Sequence, residues 1–192
     1  MLGRIDAIAA DIAAFDTQIE QHLTPFAEAV AHLDEIPGIG PTAAAVIIVE
    51  VGLDMTRFPT PGHLCAWARF APGVSQSAGK NKGRGTTGHG NRYLARILGE
   101  VAVTAGKTDT FLGERYWRIA KRRGKKRAIV AVGRSTLVII WHLLNDPDTR
   151  FHDLGADHYA SHTNPDAKKR NHVRQLETLG YTVTLEPAAA AA

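Results

Sequence analysis

A chain of 192 residues with a single cysteine, Cys65, cannot build a disulfide framework. No second cysteine or clear ligand spacing accompanies Cys65, which also removes a structural zinc site and fits a reducing compartment. Long apolar runs are lacking as well. The longest, around Thr42 to Val49 and Leu137 to Leu144, fall far short of the roughly 18 residues of a membrane helix. Asp6 and Asp11 interrupt the stretch that a secretory signal would keep apolar. A cytoplasmic protein without a membrane partner is expected. No internal repeat is evident, and one long interval lacks acids altogether: no Asp or Glu occurs between Asp54 and Glu100.

What is present is ordinary for a globular chain: 44% hydrophobic and 22% charged residues exclude wholesale disorder and fibrous repeats. The net charge of +4 hides an opposition. Met1 to Ile36 carries Arg4 against seven acids, whereas Gln76 to Arg134 carries fifteen Lys or Arg against Glu100, Asp109 and Glu114. A solvated helical surface would intersperse acids with its bases. A block this one-sided repels itself unless it faces a polyanion, and the polyanion common inside cells is nucleic acid.

The spacing predicts a mainly α protein: an N-terminal coiled-coil-like helix followed by a compact helical domain. Leu2, Ile5, Ile8, Ile12, Phe15, Ile19, Leu23, Phe26, Val30 and Leu33 recur at steps of three and four, one stripe of a helix. The stripe suits either a coiled-coil arm or the core face of a bundle. Thr24-Pro25 reads as a break, with Thr24 as cap. Ile36-Pro37-Gly38-Ile39-Gly40-Pro41-Thr42 then turns the chain into an Ala-rich helix, resembling a helix-hairpin-helix. Gly38 and Gly40 there serve either close approach to a phosphate or a tight turn needing positive φ.

Further helices are expected from Thr60 to Trp67, Asn91 to Ala105, Thr110 to Arg122, Lys126 to Leu144 and Asp166 to Leu179. A basic glycine-rich loop runs from Ser75 to Gly90, and a β-prone piece from Tyr181 to Leu185. The organisation is an arm over residues 1–33, a helical domain over 34–150, and a polar extension over 151–192 with a disordered Ala tail. Lys121, Arg122, Arg123, Lys125, Lys126 and Arg127 surround Gly124 at the junction of two helices, a phosphate-binding corner.

Phe70-Ala71-Pro72-Gly73-Val74-Ser75-Gln76-Ser77-Ala78-Gly79-Lys80 and Gly88-His89-Gly90-Asn91-Arg92-Tyr93-Leu94 carry a resemblance, together with the Ile36 to Pro41 turn and Val173-Arg174-Gln175-Leu176-Glu177. The chain resembles the C-terminal transposase domain of the DEDD-type insertion-sequence transposases, the insertion sequence one-ten family, whose members use a structured bridge RNA. The resemblance covers most of the chain and rests on the order and spacing of the pieces. It implies a serine nucleophile at Ser77, with Ser75 as the rival. It also implies DNA and a structured guide RNA as partners, while the apolar stripe of the N-terminal helix leads us to expect a homo-oligomer through that helix. The four acids that bind divalent metal, expected to be Mg, belong to an N-terminal RuvC-like domain. None of them maps onto this sequence, so no metal ligand is assigned here and catalysis by this chain alone is expected to be incomplete.

The residues around Ser77 suit that role. A serine attacks phosphorus poorly unless its proton is taken and the charge growing on the phosphoryl oxygens is offset. Lys80, Lys82 and Arg84 follow within seven residues, and Gly79, Gly83 and Gly85 leave room for a phosphate. Asn91, Arg92 and Arg96 open the next helix, and Arg115, Arg118, Lys121 and Arg122 continue the cationic series. His89 is the nearby titratable residue that could act as a base, although a phosphate contact or a bystander is the more ordinary role.

His152, Asp153, Asp157, His158 and His162 invite a metal reading, but Gly155 and Pro165 point to a loop there. Trp67 and Trp141 read as core residues rather than base-stacking platforms. The competing function is a non-catalytic helical nucleic-acid-binding module or transposase remnant. A structural coiled-coil adaptor leaves the basic block without a purpose.

Overall fold

The computed structural model describes residues 2–73, 76–77, 80–81, 87–161 and 164–186. Ser75, Lys82, Arg84 and His162 lie outside the described residues, as does the Ala tail. The protein is mainly helical. In chain order come α1 (Leu2–Leu23), α2 (Ala27–Asp34), α3 (Pro41–Val51), α4 (Pro61–Trp67), α5 (Arg92–Ala105), α6 (Phe111–Arg123), α7 (Lys125–Asn145), α8 (His158–Ser161) and α9 (Pro165–Thr178). Two 3-10 turns, Thr24–Phe26 and Met55–Arg57, and the two-residue strands β1 (Gln76–Ser77) and β2 (Lys80–Asn81) complete the described elements.

The stripe of α1 is exposed along its length; Ile5, Ile8, Ile12, Phe15 and Ile19 all remain open to solvent. The helix stops at Leu23 as the Thr24-Pro25 signal suggests, but Thr24 does not cap a new helix. Its hydroxyl donates backward to the Glu20 carbonyl at 3.0 Å, and Pro25 begins a 3-10 turn rather than an α-helix. From α2 onward the apolar residues turn inward. Leu33, Ile36 and Ile39 are buried through the turn into α3, whose start has Gly40 as N-cap and Pro41 in the first turn.

Helix α7 organises the rest. At 21 residues, with a mean hydropathy of 1.5 in its most apolar window, it is long and apolar enough to cross a bilayer by length and composition. Counting unbroken apolar runs misses this, because the apolar residues are interspersed. In this fold it is the central core helix: Ala128, Val132, Leu137, Ile140 and Leu143 are buried, and α4, α5 and α6 pack around it. Its Thr136 hydroxyl is buried but satisfied by the Val132 carbonyl at 3.1 Å. Leu64, Leu94, Leu98 and Leu112 close the same core, each burial contributing roughly 1.5–3 kcal/mol.

The chain after α7 is strapped onto this core. Glu35 accepts from Arg150 Nη1 at 2.6 Å and from the Phe151 amide at 3.0 Å. Asp153 accepts from the amides of Phe111 and Gly155 at 3.1 and 3.0 Å, so it caps α6 from a distant part of the sequence. Residues 158–161, where a loop is expected, form α8, and its His158 packs edge-on against Phe111. The β-prone stretch fares differently: residues 181–186 form neither helix nor strand.

Candidate nucleic-acid interface

Segment 74–86, which carries the serine signature, is flanked on both sides by residues with defined contacts. Before it, α4 closes on Arg69, whose φ of 62° is the only positive value of a non-glycine residue among those described. A left-handed arginine costs roughly 1–3 kcal/mol. Its stem is then covered by the returning chain: a Cβ on Gly90 would lie 2.9 Å from Arg69 Cγ and 3.0 Å from the Ala68 carbonyl. After the segment, Asn91 caps α5, its Oδ1 accepting from the amides of Tyr93 and Leu94 at 2.9 and 3.1 Å. Its Nδ2 donates to Glu50. The Asn91 side chain is thus engaged in holding α5 in place, a use that its position in the basic stretch conceals.

Within the segment, β1 and β2 pair antiparallel with Gln76 opposite Asn81 and Ser77 opposite Lys80. The candidate nucleophile therefore stands in register with a lysine, in a short strand pair where a plain loop is expected.

The cations of the sequence divide into engaged and open groups. Arg92 donates to the Tyr93 hydroxyl at 2.9 Å, with its guanidinium 4.9 Å from the ring centroid. Arg96 pairs with Glu100 at 2.9 Å, and that carboxylate raises the arginine pKa further. Arg115 donates to the Tyr159 hydroxyl at 2.7 Å, while Arg118 lies 3.9 Å over the same ring. Phe111 stacks on Tyr159 at 5.2 Å, so three side chains of α6 meet the strap at one tyrosine.

Lys121, Arg122, Arg123, Lys125, Lys126 and Arg127 form the open group, all exposed around Gly124. Gly124, at φ 85°, ends α6 and starts α7 in one residue. Among the described residues no carboxylate lies within ion-pair distance of any of the six. The first three suit the negative end of α6, but the last three sit at the positive end of α7, where cations oppose the helix dipole. An anion at this corner would relieve that opposition and meet the free amides of α7.

Beside the corner, a groove of about 580 Å³ opens between α6 and α7. Its floor is Phe70, Ile119, Val130 and Ala131; Arg115, Lys126, Arg127 and Arg134 line its cationic side, and Pro72 and Thr87 bound it. Those two residues flank the segment that carries Ser77. Sequence reasoning passed over Arg134 and the apolar floor, although the α7 positions 126, 127, 130, 131 and 134 share one face at helical spacing. Phe70 reaches the floor because α7 has Gly133 there: a Cβ at that position would lie 2.5 Å from the ring. Cys65 ties the same region together, its thiol donating to the Arg134 carbonyl at 3.7 Å, and burial pushes that thiol pKa up.

The two glycines of the upstream turn separate. Gly38 is consumed by packing, since a Cβ would lie 2.7 Å from the Val101 carbonyl of α5. Gly40 opens onto free space. His89 is exposed, between Gly88 and Gly90, both of which lie against the Arg69 side chain. The tryptophans part company too. Trp141 is half-buried, its indole donating to the Phe58 carbonyl at 2.9 Å, whereas Trp67 packs at a tilt beside Phe58 and is 42% exposed rather than a core residue. Trp117 donates to the Gly106 carbonyl at 2.6 Å.

Residues 30–117 match the family described as Transposase IS116/IS110/IS902. The match contains the α2–α3 turn, the paired strands and most of α6. Over 116 residues the chain is also 32% identical to an uncharacterized 43.6 kDa protein of insertion element IS110 from Streptomyces coelicolor. That alignment covers 59% of this chain and 28% of the Streptomyces protein.

Proposed function

We propose that the chain belongs to this transposase family and supplies its serine-bearing, DNA-binding part, with Ser77 as nucleophile. The observation that carries the reading is the joint placement of Pro72 and Thr87. The segment holding Ser77 leaves and rejoins the fold at a groove lined by cations that no carboxylate pairs among the described residues. The family match over residues 30–117 supports the same reading.

In the proposed step the Ser77 hydroxyl attacks a DNA phosphate. One Oγ–P bond forms as one P–O bond to the departing strand breaks, and the serine proton goes, in net terms, to the departing oxygen. One phosphate ester replaces another, so the strand can be rejoined to a second DNA without an external energy source. Lys80 stands opposite Ser77 in the strand register, and Lys82 and Arg84 follow in sequence as further phosphate contacts. The open corner around Gly124 and the amides beyond Gly40 hold flanking backbone without reading bases.

The described residues gather no group of three His, Cys, Asp or Glu able to hold a metal ion. Asp153 is occupied by two amides and His158 by aromatic packing. We assign the divalent metal expected of the family to a RuvC-like domain. A structured guide RNA is proposed as a second polyanion for the basic surface. A second copy of the chain is proposed as partner of the exposed α1 stripe, and the cytoplasm as the place of action.

The test is covalency. The full chain, with and without a full-length relative, is incubated with DNA carrying the element junction and then denatured. A protein-DNA adduct is expected, lost in Ser77→Ala. Loss in Ser75→Ala alone would move the nucleophile by two residues. Salt-dependent binding with no adduct under any condition would leave a non-catalytic nucleic-acid module.

A further inference from the structure

We propose that the groove between α6 and α7 seats one unpaired nucleotide of a DNA strand, with its phosphate against the cations and its base on the apolar floor. The proposal rests on reading the chain as a DNA strand-transfer protein and names the form of DNA that it grips.

The argument is one of matched chemistry. At about 580 Å³ the groove falls within the range of small-ligand pockets, about 300–1,000 Å³. A duplex cannot enter a space of that kind, because it keeps its bases stacked inside and offers only its phosphates. A site for phosphate alone needs no floor of Phe70, Ile119, Val130 and Ala131. A site for an apolar ligand alone has no use for four cations of one sign. A ligand with a flat apolar ring and an anionic group satisfies both, and an extruded nucleotide is such a ligand.

The groove is also braced for the task. Gly133 lets the Phe70 ring lie against α7, and Tyr159 holds the Arg115 guanidinium at the wall. Its bounds, Pro72 and Thr87, flank the segment that contains Ser77, so a strand opened for exchange and a strand gripped here belong to one event.

The probe is a short single-stranded oligodeoxynucleotide, end-labelled for anisotropy and titrated into the full chain. It is compared with an oligomer of equal length made wholly of abasic sites, and with the corresponding duplex. The base-bearing strand should bind about tenfold tighter than the abasic one. Ala131→Leu, which fills the floor, should erase that difference by bringing the base-bearing strand down to the affinity of the abasic one. Ile119→Gln, which makes the floor polar with little change in bulk, should do the same. Arg127→Ala should weaken both single strands alike.

Equal binding of the two single strands would reduce the groove to a phosphate patch and overturn the proposal. So would displacement of the strand by a free deoxynucleoside monophosphate at equal concentration, or by an acidic peptide with no response to the floor variants. Binding needs no cleavage, so the two readings fail separately. A base preference without a Ser77 adduct removes strand transfer alone, and an adduct without a base preference removes the seat alone.

Discussion

At the scale of single residues, two glycines spaced two apart in one turn have opposite duties. Gly38 combines a φ of 92° with a backbone contact that leaves no room for a Cβ, between the Val101 carbonyl and the Ala105 amide of α5. Gly38→Ala is therefore expected to destabilise the fold by about 2–4 kcal/mol, read by urea denaturation. Gly40 has a φ of −117°, which any residue adopts, and faces open space. Gly40→Ala should stay within about 0.5 kcal/mol of the parent in the same measurement, while DNA affinity drops because the added methyl blocks the approach of a phosphate. The turn itself is legible in Ile36-Pro37-Gly38-Ile39-Gly40-Pro41. Which glycine packs and which faces out is not, since the deciding contact comes from α5, more than sixty residues later. The same holds for Asn91, whose capping role is local but whose bond to Glu50 spans 41 positions.

At the scale of elements, helices declared themselves wherever the cue was local. Steps of three and four give α1 and α5, Thr60-Pro61 gives α4, and the charge run around Gly124 gives the α6–α7 corner. A periodic pattern tells that a face is apolar, however, and not what covers it. The stripe of α1 and the buried face of α5 look alike in sequence, yet one is bare and the other lies in the core. Charge has the same blind spot: Arg96 and Arg122 belong to one basic block, but Arg96 is already paired with Glu100 and Arg122 is not. The slope of log affinity against log salt should tell them apart. Removing Arg122 or Lys125 is expected to reduce the slope by about 1 each, as one fewer phosphate is neutralised. Arg96→Ala should leave it nearly unchanged, and equal reductions for both classes would show that the ion pair opens on binding.

At the scale of the molecule, the charge opposition takes on a structural form: an acidic, exposed N-terminal helix, a basic corner where α6 meets α7, and a C-terminal strap bonded to Glu35 and to α6. The strap was hidden from sequence reading because its anchors lie 41 to 116 positions apart, in Asp153 on α6, Tyr159 under Arg115 and Arg118, and Glu35 on Arg150 and Phe151. Glu35 makes this closure sensitive to acid. The Phe151 amide first, and then the Arg150 guanidinium, hold its carboxyl below the usual glutamate range. A carboxyl whose pKa is lowered by folding contributes stability in full above its unfolded value, and loses that contribution as pH falls through the folded one. Glu35→Gln should accordingly melt below the parent at pH 7, and the gap should narrow as the pH drops below about 4, the ordinary carboxylate range. Other carboxylates will also lower the melting temperature of both proteins in acid, so the informative quantity is the difference between the two curves. A gap that stays constant down to about pH 2.5, well under the ordinary carboxylate range, would show that the ionised carboxylate contributes nothing to the strap, and that Arg150 and Phe151 are held there by packing alone.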